Sequence, residues 1–585
     1  MSPLETLTAA LRDAVTTRFG DDVTLDYGKL VQRNRGGQHG DLQVNAAFPL
    51  AKQVRRNPTE IAEELAAAID ASPVLEPGEV SGKAFVNFRI RDAWLAGEIA
   101  RLASSADAML SPAAKAEHVY VDFSSPNVAK EMHVGHLRST IIGDSLSRLF
   151  EARGHTVERI SHVGDWGTQF GMLIQYLQEE VEEDTVAGLS IADLDSLYKA
   201  SKKRFDDDAA FADRARQAVV ALQSGEPGAR STWEALCAAS RSEFSDIYER
   251  LDVEVQEVGE SFYQPLLADV VRDLEELGML EVSDGARVVF VEGFETREGT
   301  PLPLIIQKAD GGYNYATTDL AAIRHRVSQG ADRMLYVVDH GQSQHFQMVY
   351  AVARRAGWLP DDVVCEHVPF GLVLGEDGKR LRTRSGENVR LRELLDEAEE
   401  RGRRLALARA AETESDRPES EVAETGALLG LSAVKYSELS HHRMTNYVFS
   451  FDKMVSLEGN TAPYLLYAYA RIRGIRDAAH ARLEEGSLQG VRTDAETLEG
   501  PERSLAQILV DFEDVVDRAT VQLQPSDVTE YLFQLSQEFN RFYESSRVVS
   551  DEDGVDVTRL RLCEVTAATL GAGLSVLGVR VVDRV

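Results

Sequence analysis

A strand-to-helix junction at residues 118–154 constrains the fold of this chain more than any other stretch. Apolar residues alternate along 118–123, which predicts a strand, and the Pro-Asn pair at 126–127 interrupts the alternation. Apolar residues then recur at helical spacing along 137–150, and Gly154 supplies a stop signal. A strand that leads into a helix in this way predicts the start of a βαβ unit, the building block of a parallel, nucleotide-binding sheet.

Two histidines stand at the beginning of the predicted helix. His133 and His136 are three residues apart, so their rings are expected on one face of the first turn. Gly135 lies between them and has no side chain, so a flat ring or a phosphate could approach the backbone closely. The free N–H groups and the positive dipole end of a helix N-terminus favour a bound anion. The junction therefore predicts a nucleotide site.

The sequence after the junction continues the α/β pattern. A second strand is predicted at 156–162, and a Gly-rich loop, 161–170, follows at its carboxyl end, where ligands bind in parallel sheets. Further strand signals occur at 287–291, 304–306, 334–338 and 364–374. The predicted fold class is α/β, with a Rossmann-like parallel sheet.

Three units are predicted along the 585 residues, at the lower end of the three to five domains suggested by length. Residues 1–105 mix helix and strand signals and form an α+β unit. Residues 116–420 contain the parallel sheet, interrupted by an acidic helical insertion at about 178–255. Residues 421–585 are predicted to be all helix.

Cysteine usage and hydropathy exclude several protein classes. Cys237, Cys365 and Cys563 are far apart and form no CxxC pair, which excludes a disulfide scaffold or a Cys-rich zinc site and fits a reducing cytosol. The N-terminal residues lack the basic region and uninterrupted apolar segment of a signal peptide. No window approaches the ~20 apolar residues that a membrane span requires. A cytoplasmic protein with no membrane association is expected.

The formal net charge of −33, taken alone, argues against a polyanionic partner, because like charges repel. Acidic residues are concentrated at 179–184 and 412–421, however, whereas basic residues cluster at 32–37 and 379–384. Nucleic-acid binding must therefore be argued from individual sites and not from the total charge.

Five stretches, in one order, resemble bacterial-type arginyl-tRNA synthetases, which are class I aminoacyl-tRNA synthetases, over essentially the whole length. They are SPNVAKEMHVGHLRST at 125–140, SHVGDWGTQF at 161–170, YNYATTD at 313–319, KRLRTRSG at 379–386 and NTAPYLLYAY at 460–469. An HxGH pattern alone also occurs in small nucleotidyltransferases, whereas all five stretches together are specific. The resemblance implies an arginine–tRNA ligase that forms arginyl-adenylate from L-arginine and ATP and then transfers arginine to the terminal ribose of tRNA(Arg).

The resemblance also implies cofactors and an assembly state. ATP is expected to bind with Mg²⁺, and no zinc is expected. The enzyme is expected to be a monomer that needs tRNA for the first step.

Catalytic roles follow from the same resemblance. The first stretch corresponds to the HIGH signature of the class, so His133 and His136 would hold the ATP phosphates. The KMSKS signature is not intact, since the loop at 381–385 lacks the second lysine, and Lys130 would replace it. The implied catalytic residues are Lys130, His133 and His136. The implied ATP-binding residues, in the segment 126–136 and the loop 379–386, are Pro126, His133, Gly135, His136, Lys379, Arg382 and Arg384. For the basic loop alone, a solvated hairpin is the alternative.

Arginine recognition needs carboxylates that meet a planar guanidinium group and an anchor for the amino-acid end. The resemblance assigns Asp122, Tyr315 and Asp319 to the guanidinium. It assigns Asn127 and Gln342, with His136, to the amino-acid end. From the residues alone, Asp122 could instead be a surface acid on an edge strand, and Tyr315 and Asp319 a capping or surface pair.

The outer units take tRNA roles by resemblance. Residues 1–105 would contact the tRNA elbow near the D-loop, and the C-terminal helices would bind the anticodon, whose unstacked bases aromatic side chains can read. The candidate tRNA-binding residues are Asn87, Asn460, Tyr464 and Tyr467, with Tyr469, His441, His442 and Arg443 as further candidates. An aromatic stripe at helical spacing can also be core packing.

Three alternative functions each conflict with a feature of the sequence. A glutamyl enzyme is the alternative within the class, but an anionic substrate would require basic residues where this pocket has Asp122 and Asp319. A catalytically inactive RNA-binding relative conflicts with the presence of Lys130, His133 and His136. A small-molecule nucleotidyltransferase would not need the helical region after residue 421.

Overall fold

The computed structural model describes residues 2–34, 40–105, 109–180, 191–382, 388–413, 416–484, 498, 500–550 and 554–582. Two large groups of buried apolar side chains form the core. The larger one runs from the N-terminal unit through one face of the central sheet into the C-terminal helices. No helix in these ranges is both long enough and apolar enough to span a bilayer.

The N-terminal unit packs helices against a four-stranded antiparallel sheet in the order β1-β2-β4-β3. Its elements are α1 (Pro3–Phe19), α2 (Tyr27–Leu30), β1 (Val31–Arg33), β2 (Leu42–Val44), α3 (Ala47–Val54), α4 (Pro58–Ala68), β3 (Glu79–Ser81), β4 (Phe85–Phe88) and α5 (Asp92–Ser104). The first helix begins at a capping box, in which Ser2 and Glu5 satisfy each other's backbone N–H groups. Helix and strand are mixed here, in agreement with the α+β prediction.

The central unit contains the predicted parallel sheet, with strand order β12-β11-β5-β6-β7. Its elements are β5 (His118–Asp122), α6 (Val134–Ala152), β6 (Thr156–Val163), α7 (Thr168–Glu180), α8 (Ile191–Asp207), α9 (Ala209–Gln223), α10 (Pro227–Arg250), β7 (Gln256–Gly259), α11 (Glu260–Glu276), β8 (Glu281–Ser283), β9 (Ala286–Glu295), β10 (Pro301–Gln307), α12 (Tyr315–Ser328), β11 (Arg333–Tyr336), a 3-10 helix (His340–Gln342), α13 (Ser343–Arg355), β12 (Val364–His367) and β13 (Val373–Leu374). The strand β5 is central and not an edge strand, so the Rossmann-like prediction is confirmed.

Some of the predicted strands lie outside the parallel sheet, and one of them is divided in two. The strands β8, β9 and β10 form a separate antiparallel sheet and do not extend the parallel one. The stretch 364–374 was expected as one strand, but it divides into β12 and β13 around Pro369. Because proline has no N–H for the ladder, the chain leaves the sheet there, and β13 pairs with a later strand at Tyr447–Val448.

The C-terminal unit is a helical bundle, as predicted, although its first helix, at 391–412, precedes the predicted boundary at residue 421. Its elements are α14 (Leu391–Glu412), α15 (Glu419–Leu439), β14 (Tyr447–Val448), α16 (Phe451–Met454), α17 (Ala462–Glu484), α18 (Gly500–Leu509), α19 (Phe512–Val521), α20 (Ser526–Ser545), β15 (Val549–Ser550), β16 (Gly554–Val555) and α21 (Val557–Val576). The differences from an all-helical unit are short two-residue strands, β14 and the antiparallel pair β15 and β16.

Buried and partly buried ion pairs join the units. In the C-terminal bundle, Arg503 donates to Asp92 at 2.6 Å and to Asp41 at 2.7 Å, both in the N-terminal unit. Arg138 of α6 donates to Glu438 of α15 at 2.5 Å, and both side chains are almost fully buried. A buried charge is stable only when it is paired, so these contacts fix the bundle against the other two units.

Candidate functional site

A cavity of about 490 Å³ opens at the carboxyl ends of β5 and β11, where parallel sheets bind ligands. Apolar side chains line one part of it, and polar side chains line the rest. The apolar part contains Val337, Val338, Phe346, Phe370, Leu372 and Val373. The polar part contains Ser125, Asn127, His133, His136, Tyr315, Asp319, Asp339, Gln342, His345 and Arg380. The cavity therefore unites residues from both halves of the central unit.

The histidine pair lies at the start of α6, as predicted. His133 is the N-cap, and its ring stacks on that of His136 with the centroids 4.1 Å apart. The backbone N–H of Gly135 donates to His133 Nδ1 at 3.0 Å, and the backbone N–H of His133 donates to His136 Nδ1 at 3.0 Å. The rings thus replace the side-chain oxygens that usually cap a helix.

These hydrogen bonds determine the chemistry of both rings. Burial, with the neighbouring His133, lowers the pKa of His136 to about 3. Burial also lowers the pKa of His133, assisted by the positive charges of Arg380 and Lys130. Both rings are therefore neutral near neutral pH. Because each Nδ1 accepts a backbone N–H, each ring carries its proton on Nε2. The pair offers two Nε2–H donors with fixed tautomers, and it contributes no positive charge.

Gly135 is required by the packing of the histidine pair. A Cβ atom at this position would lie 2.8 Å from His133 Cε1 and 2.9 Å from His133 Nδ1. Any side chain would displace the ring that caps the helix. The group that approaches this position closely is thus the His133 ring of the chain itself.

Asn127 and Pro126 are held by the Gly-rich loop after β6. The Gly164 N–H donates to the Pro126 carbonyl at 3.1 Å, and the Val128 N–H donates to the Gly164 carbonyl at 3.1 Å. A Cβ atom at Gly164 would lie 2.3 Å from Asn127 Oδ1, so only glycine leaves room for this side chain. Asn127 faces the cavity, whereas buried Pro126 contributes backbone alone.

Three of the predicted arginine-binding residues meet at the far side of the cavity. Asn314 caps α12, which places Tyr315 and Asp319 on its first two turns. Gln342 lines the same wall from the 3-10 helix. Asp319 Oδ2 lies 2.6 Å from His345 Nε2, and the Tyr315 ring meets the His345 ring edge-on at 4.7 Å between centroids. No sequence pattern singles out His345, because its partner lies 26 residues away.

Asp122 does not reach the cavity, contrary to the prediction. Its carboxylate is buried at the end of β5, where Arg326 Nη2 of α12 donates to Oδ2 at 2.6 Å. Oδ1 accepts from the hydroxyl of Ser125, which does line the cavity, at 3.2 Å. The chain's own guanidinium occupies the position that the resemblance gives to the substrate, so Asp122 acts on the cavity through Ser125.

Glu260 is a further acidic residue that the sequence reasoning missed. It begins α11, and among the described residues its carboxylate has no cation partner. Burial raises the pKa of Glu260 to about 7, with Asp165 and Asp319 as the next causes. A half-buried carboxyl beside other carboxylates marks a place where a bound cation would be stabilised. Its own surroundings in sequence, after a short strand, contain no motif that singles it out.

The basic loop reaches the cavity with Arg380, which lies within the predicted ATP-binding loop 379–386. Lys379 is exposed at a turn, where its N–H donates to Asp377 Oδ1 at 3.0 Å. Arg382 lies on a neighbouring cavity, described next, and Arg384 falls outside the described residues. The loop folds back on itself, since the Leu381 N–H donates to the Val373 carbonyl at 3.0 Å.

Lys130 lines a second cavity, of about 530 Å³, which shares Asn127, His133 and His136 with the first. Its Nζ lies 4.5 Å from the centroid of the Tyr198 ring on α8. This second cavity has two more cationic than anionic side chains. The cations are Lys130, Lys199, Arg382 and Arg390, and the anions are Glu131 and Asp195. In a chain of net charge −33 this local excess favours an anionic ligand.

The predicted tRNA-binding residues are largely engaged inside the protein. Asn87 is 5 % exposed on β4, where it donates to Ser81 Oγ at 2.6 Å and accepts from Gln43 Nε2 at 3.0 Å. Its amide is therefore unavailable to tRNA, and this prediction does not fit the geometry. Both faces of β4 are covered, which the short strand pattern did not reveal.

The three C-terminal candidates are partly buried. Asn460 Oδ1 accepts from the Tyr436 hydroxyl at 2.5 Å, and the Tyr464 hydroxyl accepts from Asn540 at 2.9 Å. Burial raises the pKa of Tyr467, whose hydroxyl has no hydrogen-bond partner among the described residues. Tyr464 thus packs between α17 and α20, in line with the alternative of core packing.

Three family models match successive parts of the chain. The model described as "Arginyl tRNA synthetase N terminal domain" matches residues 5–90. The model "tRNA synthetases class I (R), catalytic domain" matches residues 99–451 and therefore more than half of the chain. The model "DALR anticodon binding domain" matches residues 465–585.

Known relatives match the chain over its whole length. A protein named arginine–tRNA ligase from Synechococcus sp. is 49% identical over 587 aligned positions and covers 100% of both chains, and one from Nostoc punctiforme is 48% identical over 99% of both. Arginyl-tRNA synthetase from Plasmodium falciparum has a similar structure, with a TM-score of 0.82, 29% identity and coverage of 100% of this chain and 99% of that one. The Thermus thermophilus enzyme shares the fold, with a TM-score of 0.79 at 24% identity over 100% of both chains.

Proposed function

Because the chain belongs to the class I arginyl-tRNA synthetase family, we propose that it is an arginine–tRNA ligase that uses ATP to attach L-arginine to tRNA(Arg). One observation carries the proposal most directly: a single cavity holds the neutral histidine pair of α6 and the Asp319 carboxylate of α12. Donors for phosphate and an acceptor for a guanidinium are thus placed within reach of one bound pair of substrates. The glutamyl alternative has no support among the relatives and would place an anionic side chain against Asp319.

In the first step the arginine carboxylate attacks the α-phosphorus of ATP, and pyrophosphate leaves. Negative charge spreads over the phosphoryl oxygens in the transition state. The Nε2–H groups of His133 and His136 donate to these oxygens, and their fixed tautomers mean that no reorganisation is needed. The adenine ring occupies the apolar part of the cavity near Phe370. ATP binds as its magnesium complex.

Pyrophosphate leaves on the side of the second cavity. Lys130 supplies a mobile cation there, in place of the lysine that the 381–385 loop lacks, and Arg382 adds a second one. A lysine carries the same charge wherever it lies in the sequence. Lys130, which precedes the histidine pair, can therefore contact the phosphates that the missing loop lysine would contact. Lys379 and Arg384 belong to the same basic loop and assist by their positive charge.

Arginine is selected by carboxylates around its guanidinium group. Asp319 keeps Oδ1 for the substrate while His345 holds Oδ2, and the exposed Tyr315 packs on the other side of this pair. Glu260 provides the second negative charge, because it is close enough to Asp319 for the two carboxylates to repel each other. Asn127 and Gln342 hold the amino-acid end, and Asp122 orients Ser125 from behind the cavity.

The outer units bind tRNA. Residues 1–105 contact the elbow, residues 116–420 carry catalysis and residues 421–585 bind the anticodon. Within the last unit we assign tRNA binding to the surface around Asn460, Tyr464 and Tyr467. The two partly buried tyrosine rings hold this surface in place. The enzyme works as a monomer in the cytoplasm, where its tRNA is found.

We expect Glu260→Gln to raise the KM for arginine about tenfold near pH 8. In the free enzyme the pKa of Glu260 is about 7, so the carboxyl is mostly protonated below that pH. A bound guanidinium favours the ionised form and lowers this pKa, so wild-type affinity for arginine should rise as the pH approaches 7 and then level off. The KM for arginine, measured from pH 5.5 to 8.5, should lose this dependence in the variant. Identical profiles would remove Glu260 from the arginine site.

The proposed function is tested by charging total tRNA with each of the standard amino acids in turn. We expect arginine alone to be attached, and only with ATP present. Attachment of glutamate would establish the alternative specificity. Failure to attach any amino acid, with tRNA binding retained, would establish an inactive RNA-binding relative instead.

A further inference from the structure

The loop between β5 and α6 has an unusual backbone. Ser124, Ser125 and Ala129 have φ angles of +68°, +47° and +61°, in the left-handed region that residues with a side chain rarely adopt. Such conformations persist only where surrounding contacts enforce them, and they concentrate at functional sites. This loop carries Asn127 and leads directly into Lys130, so its conformation decides where both side chains lie.

The helical insertion holds Ala129 in its left-handed backbone conformation. Its backbone N–H donates to Ser240 Oγ of α10 at 3.0 Å, and the Ser240 hydroxyl donates in turn to the Leu236 carbonyl at 3.0 Å. Both residues are fully buried. The hydroxyl of Ser240 is therefore the acceptor that satisfies the Ala129 N–H, and without it this group would be buried without a partner.

A chain of buried hydroxyls, which also begins on α10, holds Ser124 in its left-handed backbone conformation. The Tyr248 hydroxyl lies 2.9 Å from Ser124 Oγ, and Thr140 Oγ1 lies 2.9 Å from the same oxygen. Thr140 also donates to the carbonyl of His136 at 2.8 Å. The Ser124 N–H donates to Ser139 Oγ at 2.8 Å. Through these contacts the insertion reaches the first turn of α6.

We infer that Ser240 and Tyr248 are positioning residues for amino-acid activation: two buried hydroxyls of α10 hold the left-handed loop that places Asn127 and Lys130. The inference rests on the proposed function. It assigns the maintenance of the catalytic loop to α10 of the insertion. Tyr198 of α8 contacts Lys130 itself, so two helices of the insertion act on the same stretch.

The first test is Ser240→Ala together with a rescue by Ala129→Gly. Loss of the acceptor lets residue 129 leave the left-handed region, so kcat for arginylation should fall about tenfold with the KM for tRNA unchanged. Glycine adopts positive φ without strain, so Ala129→Gly in the Ser240→Ala background should restore at least half of the lost kcat. A packing role for Ser240 predicts the opposite, because removing the buried methyl group of Ala129 adds a second defect.

The second test is Tyr248→Phe, which removes one hydroxyl and keeps the ring. It should lower kcat several-fold, whereas the exposed Ser245→Ala on the same helix should have no effect. A wild-type kcat in Tyr248→Phe would overturn the inference. So would a lower kcat in the double variant, Ala129→Gly with Ser240→Ala, than in Ser240→Ala alone. Wild-type charging is measured in parallel: failure of the wild type to attach arginine refutes the proposed function, whereas normal wild-type and variant rates refute the positioning role alone.

Discussion

Asp319→Asn is expected to raise the KM for arginine by roughly a hundredfold and to change the KM for ATP by less than about threefold. The carboxylate accepts a charge-assisted hydrogen bond from the guanidinium. The amide of asparagine has no charge, and its N–H groups can face the N–H groups of the guanidinium, which are also donors. Asp122 cannot replace this carboxylate, since it is buried and paired with Arg326. Steady-state arginylation, with each substrate varied in turn, measures both constants.

Asp339→Asn is the matched control for this experiment. Asp339 also lines the cavity, but its carboxylate caps the 3-10 helix by accepting the Gly341 N–H at 2.9 Å. It should therefore leave the KM for arginine within about threefold of wild type. Equal losses for arginine and ATP in Asp319→Asn would refute the role proposed for Asp319.

His136→Ala is expected to slow adenylate formation by about a thousandfold, with tRNA affinity within about twofold of wild type. The variant removes one of two preorganised donors and also the acceptor that satisfies the backbone N–H of His133. Single-turnover formation of arginyl-adenylate and tRNA binding by filter retention separate the two effects. A matching loss of tRNA affinity would contradict this division of roles.

His155→Ala controls for the loss of a capping ring. His155 Nδ1 accepts the backbone N–H of Glu117 at 3.0 Å, away from both cavities, so adenylate formation should be unchanged. The pH dependence supplies an independent check. Because the pKa of His136 is about 3, its ring stays neutral above about pH 5, and no loss of rate near pH 6 should be traced to this group.

The sequence predicted the elements that local patterns determine. The alternation at 118–123, the helical spacing after 137 and the glycine at 154 were enough to place β5 and α6. The placement of the two histidine rings on one side of the helix start followed from their spacing of three residues, whereas their stacking is seen only in the structure. These features depend on neighbours in the chain, so a single sequence contains the necessary information.

The partners of buried charges could not be predicted in this way. Asp122 and Arg326 are 204 residues apart, and only the packing of α12 against β5 brings them together. The same holds for Asp319 with His345 and for Ala129 with Ser240. Glu260 appeared ordinary in sequence because its pKa depends on burial and on distant carboxylates. Long-range pairing, and not local propensity, determines which polar groups face the substrate.

The most direct test of amino-acid activation in this cavity is the exchange of labelled pyrophosphate into ATP. The exchange requires that the carboxylate of the correct amino acid attack ATP reversibly, so it reports on the histidine pair and the arginine subsite together. With wild-type enzyme we expect exchange only when L-arginine and tRNA are both present. Exchange that proceeds without arginine, with glutamate in its place, or equally well without tRNA would contradict the proposal.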